Sequence, residues 1–332
     1  MMAMRNWRRL ALGVTGAAFM AACGGSSGPS SNTSLTQQQA SAIGNVAAQD
    51  LASSVNGLTT FSGGFGGLTG GFFAPATISG RALASVERMA PAGFKPAIMA
   101  FSLDSGCTPA ITGDTTDADG DGIPLNATFS FNAGNCGYDD GQGNLVALSG
   151  TIHIQDTDNV NVLFGYAVDF GNWGVAITST SGQGTQTAQL SINGSQGAGI
   201  TSSTAASNED LTYKVKLNGQ LALQFTSATD IGFTPTSGTI DPASQSQLQS
   251  GTFTLSGHFD YNGGSASSAD GAWAFNLSTT TGLAYDETCN AQTPFTAGQI
   301  TGNIRANQSA GFTIDYGPAC GDVTVNAFSG VS

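Results

Sequence analysis

From Tyr213 to Phe225 the chain reads YKVKLNGQLALQF, and alternate residues separate into two sets. Tyr213, Val215, Leu217, Gly219, Leu221, Leu223 and Phe225 form an apolar set. Lys214, Lys216, Asn218, Gln220, Ala222 and Gln224 form a largely polar one. A period of two predicts a half-buried strand, because successive side chains leave a pleated backbone on opposite sides. A glycine among apolar alternates recurs in Leu148-x-Gly150-x-Ile152, Leu255-x-Gly257-x-Phe259 and Ile300-x-Gly302-x-Ile304. Weaker copies are Ile78-x-Gly80-x-Ala82 and Ile192-x-Gly194-x-Gln196. Glycine inside a strand loses backbone entropy and packs nothing, so a repeated one needs a reason. Aligned glycines let a sheet bend and let another element approach closely. Curvature and packing of the protein's own helix is the favoured reason, ahead of a groove for a ligand. The expected fold is mainly β, a large curved antiparallel meander, half-barrel or barrel over residues 76–332.

One earlier stretch changes period. Residues 36–58 place Ile43, Val46, Ala47, Leu51, Val55 and Leu58 at helical spacing. Thr36 fits an N-cap, Gln39 stands three residues on, and Gly57 fits a stop. The segment is alanine-rich, which suits close packing on a glycine-bearing sheet. Residues 59–75 interleave glycines with Phe61, Phe65, Phe72 and Phe73 and read as a loop.

Composition narrows the functional classes. Of 332 residues only 9% are charged while 47 are glycine, so solubility rests on Ser, Thr, Asn and Gln. The formal charge is −13. Such a surface repels nucleic acid and anionic headgroups and suits divalent cations. A transmembrane β-barrel has the same alternation, yet beyond the N-terminal segment only Trp173 and Trp273 are available for aromatic girdles, and the last residues, Phe328-Ser329-Gly330-Val331-Ser332, lack a terminal aromatic. That reading is set behind the others.

The first residues carry the most specific pattern. Met1–Arg9 is basic, Leu10–Ala22 is apolar and too short to span a bilayer, and the stretch closes Met20-Ala21-Ala22-Cys23 before a Gly/Ser-rich run. This resembles a bacterial lipoprotein signal, with Met20 where leucine is usual. The resemblance implies a signal peptide at 1–22, a lipid on Cys23, a tether at 23–35 and attachment to the membrane through that lipid. Gly24, standing where aspartate would retain the protein, implies the outer membrane. Removing 1–22 takes away three arginines and leaves six basic against 22 acidic residues, a net of −16.

Cys107, Cys136, Cys289 and Cys320 remain, an even number that reads as disulfides in an exported chain. Local pairing, Cys107–Cys136 and Cys289–Cys320, is favoured. There is no Cys-x-x-Cys, and only His153 and His258 are present, which disfavours zinc. Residues 114–124 read DTTDADGDGIP. Carboxylates at alternate positions followed by glycine resemble the calcium loops of thrombospondin type 3 repeats and EF-hands. By that resemblance Asp117, Asp119, Asp121 and the Ile123 carbonyl would be ligands of a structural calcium ion. Leu125 and Thr128 stand at the ninth and twelfth positions, where further ligands are expected, so a carboxylate from elsewhere must complete the shell. Asp139 and Asp140 are the candidates.

Catalytic patterns are sparse. His258 and Asp260 share a strand face and could contact each other; Asp156 with Asp158, or Asp286 with Glu287, could form a carboxylate pair. No Walker or dinucleotide motif occurs. The favoured reading is a non-catalytic binding or structural module of the cell envelope, with a protein, glycan or hydrophobic partner left open. A carrier holding a lipid or other hydrophobic ligand in a concave sheet comes second, and a hydrolase third.

Overall fold

The computed structural model describes residues 32–60, 109–119, 123–132, 134, 136–139, 144–158, 164–181, 184–236, 240, 248–264, 271–289 and 294–329. The expectations for the signal peptide, Cys23, the glycine–phenylalanine loop, Gly80, Cys107, Asp121 and Asp140 lie outside these residues. Helix α1 spans Gln37–Thr60. Strands follow as β1 Ala110–Asp114, β2 Asn126–Phe131, β3 Gly137–Asp139, β4 Asn144–Asp156, β5 Phe164–Ser181, β6 Gly184–Ile200 and β7 Ala205–Leu217. Then come β8 Gln220–Pro235, β9 Gly251–Gly263, β10 Gly271–Tyr285, β11 Phe295–Ile304, β12 Asn307–Tyr316 and β13 Val323–Ser329. Twelve of them lie side by side in chain order, antiparallel throughout, and β3 pairs only with β4. The sheet is open: β1 is one edge and β13 the other.

Alternation decides which face is buried. In β9, Phe253, Leu255, Phe259 and Tyr261 point inward while Thr252, Thr254, Ser256, His258 and Asp260 are exposed. The inner face is continuous across the sheet, and its aromatic rings pack onto neighbouring strands: Tyr213 stacks on Phe225 at 4.5 Å between centroids, and Phe275 meets Phe312 at 5.0 Å.

The stretch 213–225 is not one strand. It is two strands joined at Asn218 and Gly219, whose φ angles of 50° and 78° are both positive, as a tight two-residue hairpin turn of type I′ requires. The turn is fixed from the side, since Thr187 N donates to Asn218 Oδ1 at 2.9 Å and Asn218 N donates to Thr187 O at 2.8 Å. Beyond it the register slips between Val215 and Lys216. Leu221, which strict alternation would bury, is consequently 37% exposed while Ala222 and Leu223 are buried.

The glycines do not line up into a trough. Across one inner row Gly257 pairs with Leu277, Leu277 with Gly302 and Gly302 with Phe312, so small and large alternate. A Cβ on Gly302 would lie 2.6 Å from Cζ of Phe312, so the ring occupies the space a side chain would fill. Gly194, in register with Phe170 and Leu211, has φ +117° and no room for a Cβ against the Asp210 carbonyl.

Helix α1 begins as its sequence predicts. Thr36 Oγ1 accepts from Gln39 N at 3.2 Å and Thr36 N donates to Gln39 Oε1 at 3.0 Å, a reciprocal capping box. Gly57 does not stop it; the helix runs on to Thr60. Ala40, Ile43, Ala47, Ala48, Leu51, Ala52 and Val55 are buried, and the helix packs on β12, β13 and β7. On a flat sheet β7 and β12 would stand ~24 Å apart, at ~4.8 Å per strand, whereas a helix is only ~10 Å across. Contact with both requires the sheet to curl around the helix, which gives the open half-barrel. No described helix is long and apolar enough to cross a membrane.

Gly44 is where the helix comes closest: a Cβ there would lie 2.6 Å from Cγ1 of Val325 and 3.4 Å from Phe312. Gly44→Leu should lower unfolding free energy by about 1–3 kcal/mol through overpacking, despite leucine's better helix propensity. Urea denaturation of the variant beside the parent checks this; equal midpoints would refute the close seat.

Candidate functional site

The acidic loop joins the edge strand β1 to β2. Asp114 ends β1, and its Oδ1 accepts from Thr116 N at 3.0 Å and Thr116 Oγ1 at 2.6 Å, which holds its carboxyl below the usual carboxylate range. Leu125 N donates to Thr116 O at 2.8 Å, closing the loop at its base. Asp117 is exposed, Asp119 is half-buried, and Ile123 is fully buried.

The residue that meets this loop from the sheet is Asp156, the last residue of β4. Its amide reaches the carbonyls of Pro124 at 3.2 Å and Leu125 at 3.3 Å, so the end of β4 is bonded to the chain directly after Ile123. Its side chain turns inward and is only 4% exposed. Oδ1 accepts from Asp158 N at 2.8 Å; Oδ2 is buried with no hydrogen-bond partner. Burial pushes this carboxyl above the usual range. The charges of Asp119, Asp158 and Asp117 push it the same way, against the lowering effect of the Asp158 amide. A buried carboxylate oxygen without donor or cation is expensive, so such a group asks what neutralises it.

The charges of Asp117, Asp119 and Asp158 thus all act on Asp156, and hard oxygen donors of this kind fit calcium. Among the described residues no three His, Cys, Asp or Glu side chains already form a metal cage. The expected completing residue Asp139 lies on β3 opposite Leu145. In the sequence Asp156 and Asp158 read only as a possible carboxylate pair, and their place beside the loop is not evident there. The signal available was the two-residue spacing of Asp156 and Asp158 at a strand end, which does not by itself name a neighbour 30 or so residues away.

The other chemical candidates are separated. His258 Nδ1 lies 3.0 Å from Asn276 Oδ1 on β10, and Asp260 pairs with Arg305 in the turn after β11, so the two engage different partners. His153 bridges Asn126 Oδ1 at 2.9 Å and Asp169 Oδ2 at 3.2 Å on the solvent face. Asp286 Oδ1 accepts from Thr288 N and Oγ1, which lowers its carboxyl below the usual range in a local turn. Burial raises the phenol of Tyr316 above its ordinary value.

A shallow trough of about 1000 Å³ runs across β5–β10. Asn208, Asp230, Ser256 and Ser278 line it in one cross-strand row on the outer face, beside Asp169 and Gln196. Its lining mixes these short polar side chains with Tyr166, Ala198, Ile231 and Leu255.

Cys289 and Cys320 form a disulfide between the loop after β10 and the loop before β13. Cys136 is buried and also disulfide-bonded. Compared with protein-family models, with curated proteins and with solved structures, the chain matches none.

The Cys289–Cys320 bridge spans 31 positions, for which the chain-entropy model gives ~3–4 kcal/mol. Replacing both cysteines by serine should lower the stability of the protein by about that much in urea, with little change in far-UV circular dichroism; a loss under about 1 kcal/mol would show that the bridge is dispensable.

Proposed function

We propose that the protein is a lipid-anchored component of the cell envelope whose body is a non-catalytic binding or structural module, held by disulfides and by calcium at the acidic loop. The anchor rests on the Met20-Ala21-Ala22-Cys23 pattern and the Gly/Ser run after it. Gly24 directs the reading to the outer membrane.

The observation that carries the non-catalytic reading is how the polar side chains are engaged. Glu209, buried on β7, accepts from Ser227 Oγ at 2.6 Å, Thr229 Oγ1 at 3.2 Å and Ser54 Oγ at 2.7 Å, tying β7 to β8 and to the helix. Asp315 accepts from Gln299 at 2.6 Å and from Asn326 at 3.2 Å, tying β11 and β13 to β12. His258 and Asp260 are drawn to different partners. These groups hold strands together; they do not converge as a nucleophile, a base and an orienting acid must. Calcium is favoured at the loop by its spaced carboxylates and by the buried acid that faces them.

Two experiments test this. In a bacterial host, Cys23→Ala should move the protein from the outer-membrane fraction to a soluble fraction and abolish labelling by an alkyne fatty acid; retention and labelling as in the parent would defeat the anchor. For the loop, Asp119→Ala should lower the melting temperature in calcium but not in chelator. Equal loss in both buffers would remove calcium from the reading.

A further inference from the structure

The acidic loop lacks its own closing ligand. Leu125 and Thr128 stand where further oxygens are expected, and Thr128 is already fixed in β2 between Thr112 and His153. An ion held by Asp117, Asp119 and main-chain oxygen alone would keep an open side, so the missing carboxylate has to come from a neighbouring element.

Asp156 is placed to supply it. β4 pairs with β2 so that Gln155 lies opposite Asn126, which carries residue 156 to the loop's base. There its amide is bonded to the carbonyls of Pro124 and Leu125. The side chain is nine-tenths buried, one oxygen is fixed by the Asp158 amide, and the other has no hydrogen-bond partner. The charged groups that act on it are Asp119, Asp158 and Asp117, and among the described residues no cationic side chain is one of them. Arg305 is bound to Asp260, which stands on the exposed face of β9.

We propose that Asp156 is the acidic ligand that closes a calcium site with Asp117 and Asp119, its Oδ2 meeting the ion from the β4 side; this rests on the calcium reading above. The site then joins two parts of the fold, the loop after β1 and the end of β4. Calcium fits better than magnesium, because a set built from protein oxygens on two elements is irregular, whereas magnesium demands near-octahedral geometry and keeps its waters.

The decisive variant is Asp156→Asn. It keeps an oxygen to accept from the Asp158 amide and removes the charge. The full chain, purified in detergent and freed of metal with chelator, is titrated with calcium chloride by calorimetry and melted in calcium and in chelator. The expected result has two parts. The variant binds calcium at least about tenfold more weakly than the parent. It also melts at or above the parent in chelator, because an uncompensated buried charge has gone, and below the parent in calcium.

Each other outcome overturns the assignment. A parent that binds calcium beside a variant weakened by less than about tenfold removes Asp156 and leaves the loop reading intact. A variant that melts lower in both buffers, or is unfolded in chelator, makes Asp156 a structural hydrogen-bonding residue only. A parent that binds no calcium removes the ion itself, and with it both readings.

Discussion

The seating of helix α1 on β12 and β13 sets the shape of the whole molecule. A meander bonds each strand to its neighbours, and that ladder leaves the degree of curl free. Here the curl is fixed by one alanine-rich helix that touches β7 as well as the last two strands. Gly44 lets the helix backbone settle against Val325 and Phe312, and Ser54 reaches the carboxylate of Glu209 on the far strand. Glu209 is a buried acid on the inner face, and three hydroxyl donors meet it there. Remove the helix and the apolar face of the half-barrel would open to water along with that acid.

The same helix also manages an edge. Gln37 Nε2 donates to Val325 O at 2.7 Å and its Oε1 accepts from Ala327 N at 2.8 Å, so one side-chain amide takes the place that another strand would occupy along β13. An exposed edge invites pairing with other chains, and covering it is a common remedy. With so few charged residues, the outer face relies on short polar pairs between strands, such as Thr212 with Thr226 at 2.9 Å. The inner face relies on aromatic rings set opposite glycine.

What the sequence disclosed depended on distance along the chain. The capping box at Thr36 and Gln39 is a three-residue pattern and was legible, as were the alternating strands and the Cys289–Cys320 bridge. The turn at Asn218–Gly219 was legible too, but it was read through, because the apolar alternation continues on both sides of it. The slip beyond it that exposes Leu221 leaves no local mark. Asp156 was out of reach for another reason. Its position beside the loop follows from β2 pairing with β4 while β3 stands aside, a choice made by the sheet and not by any short motif. The glycine row was recognised but not its arrangement, since staggering of registers decides which residue faces each glycine.

The strap ahead of the helix gives the fold a mechanical character. Asn32 Nδ2 donates to the Ala272 carbonyl of β10 at 3.0 Å, the Thr33 carbonyl accepts from Asn307 of β12 at 2.9 Å, and Gln37 grips β13. Tension applied to the chain before Asn32 is therefore shared at once by three of the last four strands. A meander pulled from one edge strand peels a single ladder at a time, at low force. Pulled through this strap, the sheet is loaded across several strands together, and the helix seat must yield before any ladder begins to unzip.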